Sequence, residues 1–287
     1  MNFPLRLPEK WTRRNVLKLS AASVTAVGLG CLGYGAAVRQ HVEVSRVTVN
    51  VKNLPPEFAG LTIAHLSDIH HGPYTGQSYI ARCVEIVNGL QPDLVALTGD
   101  FTFAGRRYVE PCAEVLSGLK ARVGVYTVLG NHDYYVGASY VARALKAAGT
   151  TLLIDGLDRL EHRGAKLWLI GMDDMYYGTT DLRQLMRNVT GAHARVVFSH
   201  NPDFIEEFAA KNQHVDLLIA GHTHGGQIRF PVLGAPHIAS EYGQRYAMGM
   251  QERKRMQVYT TRGIGTILLP TRFACPPEIP LYTLQPA

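Results

Sequence analysis

Asp68 and His70 stand two residues apart, directly after the apolar run Leu61–Leu66. A carboxylate and an imidazole at this spacing, just past the carboxyl end of a strand, can converge on one divalent metal ion. The pattern is common by chance, so it gains weight only because four further apolar runs also end in side chains that ligate metals. These segments contribute Asp100, then Asn131 with His132 and Asp133, then His200, and lastly His222 with His224.

The candidate ligands outnumber the needs of a single ion. They comprise two carboxylates, one amide oxygen and four imidazoles, which suit two ions that share a bridging carboxylate. Nitrogen and oxygen donors without a thiolate favour Mn, Fe, Zn or Ni over Mg or Ca. The predicted cofactor is therefore a pair of divalent metal ions.

The apolar periodicity indicates the elements that position these side chains. Short apolar runs typical of buried strands alternate with stretches of helical periodicity, which predicts an α/β core. The predicted strands are 42–51, 61–66, 94–98, 123–129, 195–198 and 215–220, and the predicted helices are 77–90, 109–119 and 140–148. In such a sheet the carboxyl ends of parallel strands share one edge, so the candidate ligands are expected to meet there.

Three further segments have less regular patterns. Residues 157–170 are predicted to form a hairpin that turns at Arg163-Gly164. Asn201 as cap and Pro202 at the first helical position predict a helix that runs to Ala210. Residues 256–284 are expected to form short strands.

The segments DIH, GD, GNHD, SHNP and GHTHGGQ, in that order, resemble the motifs of the calcineurin-like metallophosphoesterases. The resemblance implies two mixed β-sheets packed face to face and flanked by helices, a four-layer αββα sandwich, over residues 41–287. It also implies roles for the matching residues. Asp68, His70 and His224 would bind one metal, and Asn131, His200 and His222 would bind the other. Asp100 would bind both metals. His132 would protonate the leaving group, and Asp133 would orient the His132 ring.

The amino terminus has the features of an export leader. Residues 12–18, TRRNVLK, precede twenty uncharged residues, Leu19–Val38, and resemble a twin-arginine signal. The export machinery would then be a partner, and the catalytic domain would act in the periplasm or at the outer face of the cytoplasmic membrane. About 20 apolar residues also suffice to span a bilayer. Residues 1–38 are therefore predicted to be a twin-arginine signal or an amino-terminal membrane anchor, cleaved or retained.

The charge distribution excludes one class of partner. The net charge is +6, but residues 1–37 carry +4 of it, which leaves only +2 for the rest. The basic character belongs mostly to the leader, so no nucleic-acid partner is expected. Cys83, Cys112 and Cys275 follow the leader without Cys-x-x-Cys spacing, which argues against a disulfide framework.

These observations predict a metal-dependent hydrolase of phosphate monoesters, diesters or pyrophosphates, with an envelope or lipid-linked phosphoester as the candidate substrate. The alternative is an envelope module that binds a ligand at its metals without turnover; His132 and Asp133 argue against it. A single-zinc peptidase is disfavoured because His-Glu-x-x-His is missing. Asp173 and Asp174 are expected to form a turn or cap a helix, with a place near the site as the alternative, and His237 is expected to be a surface residue.

Overall fold

The computed structural model describes residues 13–103 and 105–287, in which strands and helices alternate. The helices are α1 Arg13–Val38, α2 Gln77–Gly89, α3 Val109–Leu116, α4 Asn131–Val136, α5 Ala138–Ala147, α6 Leu182–Arg187 and α7 Phe204–Ala210. The strands are β1 Glu43–Val51, β2 Thr62–Leu66, β3 Leu94–Thr98, β4 Gly124–Val128, β5 Thr151–Leu152, β6 Gly156–His162, β7 Ala165–Gly171, β8 Ala194–Phe198, β9 Leu217–Ala220, β10 Gly249–Arg253, β11 Met256–Thr260 and β12 Glu278–Pro286.

The strands form two six-stranded mixed sheets. The first has the order β1-β12-β2-β3-β4-β5, in which only the β12–β2 pair is antiparallel. The second has the order β10-β11-β9-β8-β7-β6, with antiparallel pairs at its two ends. The predicted strand at 42–51 is confirmed as an edge strand, and the predicted hairpin is confirmed as β6 and β7.

The two sheets pack face to face because their strands are apolar on both faces. In β2, Ile63 faces the core between the sheets, whereas Ala64 and Leu66 face the helices α2, α3 and α5. The second sheet buries its outer face against α6 and α7. The predicted four-layer αββα sandwich is therefore confirmed.

The parallel strands of both sheets point their carboxyl ends at one edge of the sandwich. The segments that follow β2 and β3 lie side by side there, because Asp68 N donates to Gly99 O at 3.1 Å and His70 N donates to Asp100 O at 2.9 Å. In the second sheet, Gly221 N donates to His200 O at 3.0 Å. This backbone pairing aligns four of the five predicted ligand segments, two in each sheet.

The structure differs from the sequence predictions in two places. Helix α7 begins at Phe204 instead of Asn201-Pro202, because the side chain of Asn201 accepts a hydrogen bond from Asp203 N and closes a turn before the helix. The carboxyl-terminal region does not contain only short strands. Its nine-residue strand β12 pairs along its whole length with β1 and lies between β1 and β2.

The predicted leader lies partly outside the described residues, which exclude residues 1–12. From Arg13 onward it forms helix α1, whose carboxyl end contacts the domain: Gly35 O accepts a hydrogen bond from Arg272 N at 3.2 Å. Among residues 13–103 and 105–287, no helix has both the length and the apolar character needed to cross a membrane.

Candidate metal centre

Asp68, His70 and His224 form the first group of potential metal ligands. His224 Nε2 lies 3.3 Å from Asp68 Oδ1 and 3.0 Å from His70 Nε2. All three side chains are buried, and their ligand atoms lie within 4.8 Å of one another. The loops after β2 and β9 therefore present one carboxylate and two imidazoles to a common point.

The second group contains Asp100, His200 and His222, with Asn131 beside it. His200 Nε2 lies 3.3 Å from Asp100 Oδ2, 3.0 Å from His222 Nδ1 and 3.2 Å from Asn131 Oδ1. His200 Nδ1 faces Thr98 O at 2.7 Å, so this ring nitrogen donates to the carbonyl and Nε2 is directed to the group. All seven predicted ligands are thus brought together.

Asp100 stands between the two groups. Its Oδ2 atom lies 3.4 Å from His70 Nε2 and 3.3 Å from His200 Nε2, so one carboxylate oxygen reaches a histidine of each group. Its other oxygen, Oδ1, accepts a hydrogen bond from His132 N at 2.9 Å, which fixes the carboxylate orientation. This is the placement that a carboxylate shared by two ions requires.

Burial and the Asp100 carboxylate act differently on the protonation of the histidines. Burial lowers the pKa of His70 and of His222 to about 3, so both rings are neutral at pH 7 and present lone pairs. Burial also disfavours the charged form of His200, but the adjoining Asp100 carboxylate outweighs it and raises the pKa to about 10. Metal binding must therefore displace a proton from His200, which makes metal affinity fall with decreasing pH.

Five of the seven candidate ligands have a left-handed backbone. The φ angles are 52° at Asp68, 47° at His70, 56° at Asp100, 71° at His222 and 53° at His224. This conformation costs a residue with a Cβ atom about 1–2 kcal/mol. Such strain concentrates at functional sites, where the surrounding structure enforces it.

Gly130 allows two of these segments to approach each other. A Cβ atom at this position would collide with the carboxylate of Asp100 and would lie 2.9 Å from Cδ2 of His200. We expect Gly130→Ala to displace the Asp100 carboxylate and lower both the metal content and the rate of the metal-dependent reaction by about tenfold or more. Metal analysis and a hydrolysis assay on the folded variant measure the metal content and the rate. Gly89→Ala, where a Cβ atom meets nothing within 4 Å, is the matched control. Wild-type metal content and rate in Gly130→Ala would contradict the expectation.

The sequence profile of the calcineurin-like phosphoesterases matches residues 61–226, more than half of the chain. The chain belongs to this family. It is a metal-dependent phosphoesterase, and the residue groups described above are its candidate metal ligands.

Relatives of similar length support the assignment. The chain is 31% identical over 289 residues to the uncharacterized metallophosphoesterase YkuE of Bacillus subtilis, covering 96% of this chain and 99% of that protein. It is 29% identical to the phosphodiesterase YaeI of Escherichia coli K12, covering 95% and 99%. A transmembrane protein with a metallophosphoesterase domain from Danio rerio is 29% identical, but this chain spans only 63% of its length.

His132 of the phosphoesterase lies beside both ligand groups. One of its ring nitrogens lies within 4.8 Å of the ligand atoms of His70 and Asp100. Its Nδ1 atom is 3.2 Å from Phe103 O, and its ring packs edge to face against Tyr135, with ring centroids 5.2 Å apart. The ring is only half-buried, so a molecule at the ligand groups can reach it.

Asp133, which the resemblance assigns to orienting the His132 ring, is hydrogen-bonded to backbone amides instead. The carboxylate accepts backbone hydrogen bonds from Asp100 N at 2.9 Å, Phe101 N at 3.0 Å and Gly130 N at 2.9 Å, and the carbonyl that faces the His132 ring belongs to Phe103. Asp133 therefore joins the loops after β3 and β4 instead of orienting the ring. Its position three residues after Gly130, at the start of α4, is the sequence signal for this role.

Other residues near the site have the following roles. Asp174 accepts hydrogen bonds from Tyr176 N and Tyr177 N, which confirms its predicted turn. His71 Nδ1 faces Tyr108 O at 2.8 Å inside the domain. His237 is exposed as predicted, but it also lines a cavity that reaches the metal ligands, which sequence reasoning missed because nothing in its neighbourhood matches a motif.

Proposed function

We propose that the chain hydrolyses phosphate esters with two divalent metal ions. Asp68, His70 and His224 would hold one ion, Asn131, His200 and His222 the other, and Asp100 would join them. The observation that carries the proposal is the position of Asp100 Oδ2, within 3.4 Å of a histidine in each group. The donors suit Mn, Fe, Zn or Ni.

The ions, when bound, would activate water and neutralise charge on the phosphate oxygens. The chain itself would supply the proton for the leaving group from His132. Because His132 Nδ1 donates to Phe103 O, the nitrogen that could serve the leaving group is Nε2, which would give its proton from the imidazolium form of the ring and regain one from solvent after product release. The ring of Tyr135 packs edge to face against the imidazole of His132.

A panel of chromogenic esters tests the proposal. The purified full chain, stripped with a chelator and reloaded with Mn, Zn, Fe or Ni, would be assayed on nitrophenyl monoesters and diesters and on a pyrophosphate. We expect hydrolysis with at least one metal and none after chelation. Tight metal binding without turnover of any ester would instead favour a ligand-binding module.

The proposed location is the outer side of the cytoplasmic membrane, reached by twin-arginine export. The paired arginines before the uncharged stretch 19–38 support this route, and the name of the Danio rerio relative supports a membrane location. Positive flanks stay on the cytoplasmic side, so the domain from residue 41 onward would face outward. An envelope or lipid-linked phosphoester would then be within reach.

Changing Arg13 and Arg14 together to lysine should leave active enzyme in the cytoplasm. The twin-arginine route would recognise the arginine pair itself, so two lysines would not replace it even though the charge is unchanged. Cell fractionation with the chromogenic assay measures the effect, and Arg6→Lys in the same leader is the control. Normal export of the double variant would show that residues 12–18 act only as a basic flank.

A further inference from the structure

A cavity of about 590 Å³ adjoins the candidate metal ligands. Its lining includes His132, His222 and His224 and also apolar side chains, Ile228 and Ile267 among them. A phosphate at the ligands would therefore have an apolar channel next to it. Binding and hydrolysis of the phosphate itself do not require apolar side chains. Their presence in the lining therefore indicates that the substrate has an apolar group attached to the phosphate.

Two loops, 228–234 and 267–269, contribute Ile228, Phe230, Ile267, Leu268 and Leu269 to the cavity lining, and we call them the rim loops. They expose Val232 completely, Leu233 to 81% and Leu268 to 76%, and Phe230 and Leu269 are also exposed. Large apolar side chains gathered at one place on a surface mark a site of contact with another apolar body.

The backbone of the rim loops is strained as well. Val232 has a φ of 68° and Leu268 a φ of 59°, a conformation that a β-branched residue such as valine rarely adopts. Reciprocal hydrogen bonds between Phe230 and Gly234, at 2.8 and 2.9 Å, close the tip that holds Val232 outward. The fold thus enforces the exposure of this side chain at a cost in stability.

Gln227 couples the rim loops to the metal centre. It follows the candidate ligand His224 by three residues, and its Nε2 atom donates to Ile267 O at 3.0 Å and to Leu269 O at 3.1 Å. Its Oε1 atom accepts from Ile267 N at 2.8 Å. The loop 267–269 is therefore held beside the segment that carries His224, and the loop 228–234 begins directly after Gln227.

The end of helix α1 lies at the same edge. The ring of Tyr34 is 5.4 Å from that of Phe273, and Phe273 is 6.1 Å from Phe230 on the rim. The chain that follows the predicted leader thus enters the domain beside the cavity mouth. A membrane that binds the leader helix would therefore also lie against the rim loops.

We propose that the rim loops contact a lipid surface and that the apolar chain of a lipid phosphoester occupies the cavity. This rests on the proposed function, which it deepens by naming the substrate class. A protein covering the rim would close the mouth, whereas a lipid surface would supply the substrate itself. Residues 226–239 and 264–274 contain no aspartate or glutamate, so neither segment repels anionic headgroups.

Tryptophan probes test the lipid contact independently of catalysis. Leu233→Trp and Leu268→Trp would be placed separately in the full chain and mixed with phosphatidylglycerol vesicles whose acyl chains carry bromine, which quenches tryptophan at short range. We expect quenching at least threefold greater than for Val123→Trp, an exposed apolar site before β4 at the opposite edge. Equal quenching at all three positions would overturn the rim contact, even if the leader holds the protein on the vesicles.

Chain preference tests the cavity. Wild-type enzyme would be assayed on nitrophenyl phosphodiesters that differ only in a dodecyl or an ethyl group, below the concentration at which the dodecyl ester forms micelles. We expect kcat/KM to be at least tenfold higher for the dodecyl ester, because each methylene that leaves water favours binding. Equal values would overturn the chain site and leave the proposed function standing, whereas hydrolysis of neither ester would count against the proposed function itself.

Discussion

Replacing Asp100 by alanine should lower kcat/KM for a nitrophenyl phosphoester by about a thousandfold or more. The carboxylate adjoins both ligand groups, so its loss would weaken both proposed metal sites at once. The substitution would also remove the anion that stabilises the charged form of the buried His200 ring.

The measurement combines steady-state kinetics with metal analysis of the purified variant. We expect metal content to fall from two equivalents per chain to one or fewer. Glu85→Ala, which removes an exposed carboxylate from α2, is the control for the loss of negative charge. A folded Asp100→Ala protein that retains two equivalents and the wild-type rate would show that Asp100 is not the shared ligand.

Removing the imidazole of His132 should have a different signature. We expect His132→Ala to keep both metals but to lose about a hundredfold or more in turnover of esters with a poor leaving group, because the proton donor is gone. A good leaving group departs without protonation, so the turnover of esters that carry one should fall much less. Rates on a series of phenyl phosphates with leaving groups of graded pKa measure the difference.

His162→Ala, at an exposed histidine at the end of β6, controls for the loss of an imidazole far from the site. The dependence of rate on leaving-group pKa should be steeper for His132→Ala than for wild type. An unchanged dependence would assign His132 to another role, such as steadying a phosphate oxygen.

The location of the site could be predicted from sequence because it depends on strand ends. Apolar runs that stop at Asp68, Asp100 and His222 indicate strands followed by ligands, and parallel pairing brings such ends to one edge. This reasoning needs only local patterns and a general rule of α/β topology. The same rule holds for both sheets, which is why ligands from β2 and β9 meet.

The remaining features depend on contacts that local patterns do not encode. The sequence does not show that Asp133 bonds to the amides of Asp100 and Phe101, because those partners come from another loop. The left-handed backbone of the ligands follows from tertiary packing and not from residue type. In the sequence, Val232 and Leu268 resemble ordinary loop residues. Only the tertiary structure shows that both belong to the rim loops.

The central claim, hydrolysis by two metal ions, is tested most directly by titrating metal into the chelated full chain while following hydrolysis of a nitrophenyl phosphoester. The claim predicts that activity rises with added metal and reaches its plateau at two equivalents per chain. A plateau at one equivalent would contradict the shared-carboxylate centre, and hydrolysis that persists undiminished after complete chelation would contradict metal dependence altogether.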